Sequence, residues 1–595
     1  MPDFTLSRRS LAGLSLGLAS TGLSSPALTE NARCTASPAV STASEILRTP
    51  QGALIGEVVE RKGDRIASYK GIPYAQPPIG GRRWRAAEAA PAWNCTRDAT
   101  TFGPQAVQLA EPDAMFYALP QAMQSEDCLY LNVWTPAMPG QSQASLPVMV
   151  WIHGGAFVTG AGSIPVYDGA ALARKGVVVV TINYRLGVLG YFAHPELVAE
   201  ASGGICANFG TTDQIEALRW VARNIEAFGG DPGNVTIFGQ SAGAMSVCQL
   251  LASPPSKGLF HRAIGQSGGF FFPMRALGRA SWGGPPAEEL GRRFAERIGA
   301  PSLEALRAMP AQSLVAAAPA HGDLLNQNGA LMCVDGIVFE RPVHETFRLG
   351  HQHAVPVLVG FASDEGSGIA DYGAVPAISD SVKYESEIRR RYGAFAGRYL
   401  ALYPSGDAQS AVFDAFRDEA FGWHVMEWAA RTAQVRRDAF LYYFTHTPPG
   451  AEALRPVFGS KIAHRIGAYH AADIAYVFDN ADRPLMSVWG DGKAHANRPS
   501  ATPRESDIRL ADIMSDYWVA FARTGTPHAP GLPPWGPFTQ AGGRYMRFGD
   551  AAAEPSRHLL PGMWELHTDI NAARARAELF WYFANLGIAG PELTR

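Results

Sequence analysis

A serine set between two glycines, where an apolar run gives way to a helix-forming one, constrains this chain more than any other feature. Val235, Thr236, Ile237 and Phe238 make a β-branched and aromatic run suited to a buried strand. Gly239-Gln240-Ser241-Ala242-Gly243 follows, and residues 242–252 are rich in Ala, Met, Val and Leu, as a buried helix would be. A serine hydroxyl is a weak nucleophile at neutral pH. Chemistry at Ser241 therefore needs the side chain lifted out of the backbone on a sharp turn, within reach of a base and of amide N–H groups. A second match to the same pattern, Gly265-Gln266-Ser267-Gly268-Gly269, runs instead into Phe270-Phe271-Phe272-Pro273. Bulky rings and a proline oppose an immediate helix there. Ser241 is thus the expected nucleophile and Ser267 a buried supporting hydroxyl.

A nucleophile that attacks a carbonyl also needs donors for the oxygen that becomes negative. The apolar stretch Leu146–Ile152 leads into His153-Gly154-Gly155-Ala156-Phe157, a strand followed by a glycine-rich loop. The N–H groups of Gly154, Gly155 and Ala242 are the expected oxyanion donors, with His153 a structural hydrogen-bonding residue rather than the base. Short apolar strands at Leu146–Ile152, 177–182 and 235–238 alternate with Ala- and Leu-rich helices, which indicates a mostly parallel central sheet. Residues 513–521 read as a late packing helix and 579–583 as a late aromatic packing segment.

Several long motifs occur in one order along the chain. They are Gly71-Ile72-Pro73-Tyr74-Ala75-Gln76-Pro77-Pro78, Ser125-Glu126-Asp127-Cys128-Leu129-Tyr130-Leu131-Asn132-Val133, Asn183-Tyr184-Arg185-Leu186-Gly187, and Phe228-Gly229-Gly230-Asp231-Pro232-Gly233-Asn234 running into the serine turn. Together they resemble the type-B carboxylesterase and cholinesterase family of the α/β-hydrolase superfamily. The resemblance implies an α/β-hydrolase fold, a large and mostly parallel central sheet flanked by helices and long insertions. It also implies a triad in the chain order Ser, Asp or Glu, His. Val357-Leu358-Val359-Gly360 leads to Ser363-Asp364-Glu365-Gly366, where the family places its acid; adjacent residues on an extended chain point opposite ways, and the family uses the glutamate, so Glu365 is expected and Asp364 is not. Gly467-Ala468-Tyr469-His470, running into an apolar segment, resembles the family's histidine loop and nominates His470, with His464 and His495 read as surface residues.

These assignments imply acyl transfer. His470 takes the Ser241 proton, Glu365 orients the imidazolium, an alcohol leaves, and water cleaves the acyl-enzyme. The resemblance further implies a supporting hydrogen bond from Ser267 to the catalytic carboxylate and a disulfide between Cys95 and Cys128. No organic cofactor is expected, and no metal, since no Cys or His cluster has ligand spacing. The expected partner is a small-molecule ester. The cholinesterase members carry a tryptophan between the two loop cysteines that stacks on a quaternary ammonium, whereas residues 96–127 hold Phe102, Phe116 and Tyr117 but no tryptophan. Gln240 also stands where glutamate is common in the family, so choline esters are disfavoured. An amidase, carbamate hydrolase or acyltransferase using the same acyl-enzyme is the alternative, to be separated by product analysis with a competing acceptor. A non-catalytic neuroligin-like binding protein is disfavoured by the intact nucleophile, acid and base.

Composition excludes other classes. A net charge of -3 and no basic stripe give no support for nucleic-acid binding or for an anionic membrane surface. Oligomeric state is left open. Ser7-Arg8-Arg9-Ser10-Leu11 precedes a mildly apolar stretch ending near Leu23, the pattern of a twin-arginine export signal with cleavage after Ala27, and too short for stable membrane insertion. Residues 1–27 are thus expected to be a signal, 28–45 a flexible segment and 46–590 one hydrolase domain, exported to the periplasm or beyond. Cys34 after Arg33 does not resemble a lipid-attachment site, and Cys206, Cys248 and Cys333 lack pair spacing.

Overall fold

The computed structural model describes residues 43–593 apart from 110–121, 141–144, 319–331, 371–374, 377, 379, 437, 452–465, 484–500, 541–542 and 551. The expected signal, Cys34, Phe116, Tyr117, His464 and His495 lie outside the described residues.

Among the described residues eleven strands form one sheet: β1 (Glu57–Arg61), β2 (Asp64–Pro73), β3 (Tyr130–Thr135), β4 (Leu146–Ile152), β5 (Val178–Ile182), β6 (Gly230–Gln240), β7 (Arg262–Gln266), β8 (Val357–Ala362), β9 (Ala439–Phe444), β10 (Tyr545–Gly549) and β11 (Ala552–Ser556). Their order is β11-β10-β9-β8-β7-β6-β4-β5-β3-β2-β1. Every pairing from β10 across to β5 is parallel, and β11, β3, β2 and β1 add antiparallel edges. The parallel block carries the apolar runs because helices cover both its faces.

Side-chain alternation explains how one strand feeds two cores. Val148, Val150 and Ile152 of β4 and Ile237 of β6 pack with Met245, Val247 and Leu250 of helix α2 (Ala242–Ala252) and with Leu218 of α1 (Phe209–Asn224). Met149 and Trp151, one residue out of phase, pack with Phe238 and with Leu510, Met514 and Trp518 of a longer helix, Glu505–Thr524. That helix contains the stretch 513–521 read from the sequence, and Leu146–Ile152 is a strand end to end. The run 235–238 is the inner part of a longer strand, Gly230–Gln240.

The chain leaves β4 for β5 on one side and returns to place β6 on the other. Loops from β4 and β6 therefore diverge at their carboxyl ends and open a crevice where ligands sit in sheets of this kind. His153 follows β4, Ser241 follows β6, Ser267 follows β7 and Glu365 follows β8, all at the same sheet edge.

Candidate active site

Ser241 joins β6 to α2 with φ 57° and ψ −125°, a conformation that non-glycine residues seldom adopt and that marks a constrained turn. The turn fits only because its flanks lack side chains. A Cβ on Gly243 would lie 2.0 Å from the carbonyl oxygen of Ile152, and one on Gly154 would lie 2.7 Å from that of Gln240 and 3.1 Å from Ser241 Cβ. The glycine loop after β4 is thereby pressed against the serine turn. Among the described residues the N–H groups of Gly154, Gly155 and Ala242 are paired with no backbone acceptor outside regular elements, as donors held for a ligand would be.

Glu365 is fully buried at the start of a short helix, Glu365–Ile369. One carboxylate oxygen accepts the Ala362 N–H at 2.7 Å and the other meets His470 Nδ1 at 2.5 Å. Asp364 turns the other way, accepting the Ser363 hydroxyl at 2.6 Å and the Ala468 N–H at 3.0 Å. It fastens the histidine loop and leaves the imidazole to Glu365; the chain has left β8 at Ala362 and Asp364 is the cap of the short helix, so the two side chains diverge at a turn rather than along an extended strand. With Nδ1 facing a carboxylate, the proton sits on Nδ1 and Nε2 is an acceptor. The Gln240 amide approaches that Nε2 at 3.1 Å. Gln240 is therefore a donor to the candidate base as well as a neutral residue beside the candidate nucleophile, a contact its sequence position did not disclose.

His153 is buried, donates from Nδ1 to Gly154 O (2.8 Å) and stacks on Tyr184 at 4.5 Å. Burial pulls its pKa down to about 4, keeping it neutral, as a structural residue.

Two expectations are corrected. Ser267 is buried, with φ 51°, and its N–H donates to Gly360 O at 2.7 Å, but its hydroxyl has no hydrogen-bond partner among the described residues, Glu365 included, so the supporting bond to the carboxylate is not formed. The residue is held by its backbone in β7–β8 pairing, which fixes the side chain's direction. The Cys95–Cys128 bond is not formed either, because Cys128 is a free, buried thiol whose pKa burial pushes up. Cys95 is itself disulfide-bonded, yet Cys128, Cys206, Cys248 and Cys333 are all free, so no disulfide joins two described residues. Sequence context does not fix the sulfur-to-sulfur geometry that a disulfide requires.

Sequence reasoning missed two neighbours of His470. Asp473 is fully buried, its Oδ2 accepting the Tyr442 hydroxyl at 2.7 Å and the Gln266 amide at 3.0 Å. Burial, which disfavours the carboxylate, outweighs these bonds and raises its pKa to about 6. A carboxyl inside the apolar run Ala471-Ala472-Asp473-Ile474-Ala475-Tyr476 was the available signal. Phe421, whose ring lies 4.7 Å from the imidazole, had none, since it reaches the site through a π turn, Asp418–Gly422, inside a helical region. The loop aromatic Phe102 lies elsewhere, under Lys70.

Comparison with known proteins places the chain among carboxylesterases. The carboxylesterase family model matches residues 43–560. A fumonisin B1 esterase of Sphingopyxis macrogoltabida is 36% identical over 516 residues, 85% of this chain and 86% of that protein. A phenmedipham hydrolase of Pseudarthrobacter oxydans is 32% identical over 512 residues, 83% of this chain and 94% of its own length. Among solved structures a PNB esterase superposes with a TM-score of 0.68 at 28% identity, covering 90% of this chain and 99% of that one.

Proposed function

This chain belongs to the carboxylesterase family and is a carboxylic ester hydrolase, and from that premise we propose that Ser241, Glu365 and His470 carry the reaction through an acyl-enzyme. The observation that supports the reading best is the Glu365–His470 contact at 2.5 Å, reached by residues 105 positions apart, at the same sheet edge as a serine held at positive φ. Glu365 fixes the imidazole with Nε2 unprotonated, so that nitrogen takes the Ser241 proton as Oγ attacks the ester carbonyl. Negative charge then moves to the carbonyl oxygen, where the N–H groups of Gly154, Gly155 and Ala242 receive it. The imidazolium passes its proton to the departing alcohol, and a water activated at the same nitrogen releases the acid. Nε2 must exchange its Gln240 donor for the Ser241 hydroxyl at the start of this cycle, so the Gln240 contact belongs to the resting arrangement.

The test is covalent labelling. Ser241→Ala should abolish labelling by a serine-directed organophosphate and lower turnover by several orders of magnitude, while Ser267→Ala remains labelled. Persistent labelling of the Ser241 variant would defeat the assignment. The names of the relatives in Sphingopyxis and Pseudarthrobacter support substrates larger than simple acetates, and the neutral Gln240 with the tryptophan-free loop supports uncharged or anionic esters. Export by the twin-arginine segment completes the reading; Arg8→Lys with Arg9→Lys should trap the protein in the cytoplasm, and normal export of that variant would remove this part of the proposal.

A further inference from the structure

The C-terminal tail, which lies beyond residue 560 where the family match ends, packs onto the two segments that flank the nucleophile and the base. The first is the loop after Ser267. A Cβ on Gly268 would lie 2.6 Å from the Ser241 carbonyl oxygen, so this loop runs alongside the serine turn before presenting Phe270 and Phe272. The second is the π turn, which seats Phe421 against His470. Phe583 bridges the two, with ring centroids 5.2 Å from Phe272 and 5.3 Å from Phe421. Tyr582 meets it edge-on at 5.1 Å and lies tilted against Phe272 at 4.6 Å.

Polar contacts fasten the same junction. Glu419, in the π turn, is buried and receives Arg574 at 2.7 Å and the Gly587 N–H at 2.5 Å. Tyr392 donates to Gly587 O at 2.9 Å, and the Tyr582 N–H donates to Asn585 Oδ1 at 2.6 Å, which fixes the turn that carries Phe583. A buried carboxylate with two donors holds its geometry tightly. The tail is therefore anchored to the very turn that positions Phe421. Phe270, Phe272, Phe421 and Tyr582 are buried, whereas Phe583 is half-buried and forms the rim of this ring cluster.

We propose that the tail is part of the substrate site: Phe583, backed by Tyr582 and clamped through Glu419, is the outer wall of an aromatic pocket beside His470 that takes the hydrocarbon portion of an ester and limits its size. The proposal rests on Ser241 and His470 being the reacting pair. It makes specificity depend on a segment beyond the end of the family match.

The experiment uses the full chain with Phe583→Ala and Phe583→Trp. kcat/KM is measured on p-nitrophenyl esters of acyl length two to ten, and on acetates of alcohols of rising bulk, so that the acyl and alcohol sides are read separately. Removing the wall should raise the ratio of bulky to small substrates roughly tenfold or more in one of the two series, and enlarging it should lower that ratio. The opposite signs of the two variants guard against a folding defect in one of them. Ratios unchanged in both series, or a uniform fall on every ester, would overturn the proposal, because a tail that only supports the fold cannot rank substrates. Labelling of the wild-type protein at Ser241 tests the nucleophile separately, so its failure is distinguishable from a failure of the tail.

Discussion

Asp473→Asn tests the electrostatics around His470 most directly. The carboxyl is fully buried and its pKa is raised from 3.8 to about 6, chiefly by loss of hydration. A raised acid pKa means that the folded state binds the proton more tightly than the unfolded chain does. The ionised form is therefore a burden on the fold, absent below about pH 3.8 and complete above about pH 6, and stability falls as pH rises through that window. A shift of about 2 units at 1.36 kcal/mol each sets the full burden near 3 kcal/mol, of which about 2 kcal/mol accumulates between pH 4 and pH 7. Asparagine keeps an oxygen to accept from Tyr442 and Gln266 but cannot ionise, so the variant escapes this loss. For a chain of this length the unfolding entropy is roughly 1.2 kcal/mol per kelvin, and the gap in Tm between variant and wild type should widen by about 2 °C from pH 4 to pH 7. Calorimetric scans of both proteins at matched rates across that range supply the measurement. A constant gap, whatever its sign, would refute the argument, because it would show that Asp473 does not change protonation on unfolding.

The remaining outcomes concern charge and cysteine state. Gln240→Glu places a carboxylate beside the nucleophile, and at ~5 Å from a substrate cation this is worth about 1 to 3 kcal/mol; kcat/KM on a choline ester relative to an isosteric neutral ester should rise, and an unchanged ratio would show that the cation does not bind near Gln240. The wild-type protein should favour the neutral ester of that pair, and a clear preference for the cationic one would mean that another aromatic or acidic group has replaced the missing tryptophan. Non-reducing peptide mapping should recover Cys128 as a free thiol that is alkylated only after unfolding, and Cys95 in a disulfide with a cysteine other than Cys128; recovery of Cys95 joined to Cys128 would contradict the structure.

Much of the site was legible in the sequence because its requirements are local. The turn at Ser241 needs small neighbours within two residues, and Gly239 and Gly243 state that need in the sequence itself. Side-chain alternation says that only one of Asp364 and Glu365 can face the histidine, and the resemblance to the family chose the glutamate. The strands Leu146–Ile152 and 235–238 could be read from their apolar runs because a parallel sheet is covered on both faces. The candidate triad partners were nominated through motifs, since nothing in composition or spacing brings residue 470 to residue 365.

What only the tertiary structure decided are the contacts that depend on direction across the fold. Ser267 was expected to serve the carboxylate, but its orientation is set by β7–β8 backbone pairing, and its hydroxyl points to no partner. The cysteine pairing failed for the same reason, as two motif positions do not specify how their sulfurs face. The raised pKa of Asp473 comes from burial, against the opposing hydrogen bonds that Tyr442 and Gln266 bring from distant strands, and only the packed fold sets how that balance falls. The approach of Phe583 to Phe421 joins residues far apart in sequence, by way of a π turn and a buried ion pair. Sequence determines local shape through steric rules of the backbone; which distant side chains meet is fixed only when the whole sheet and its covering helices have packed.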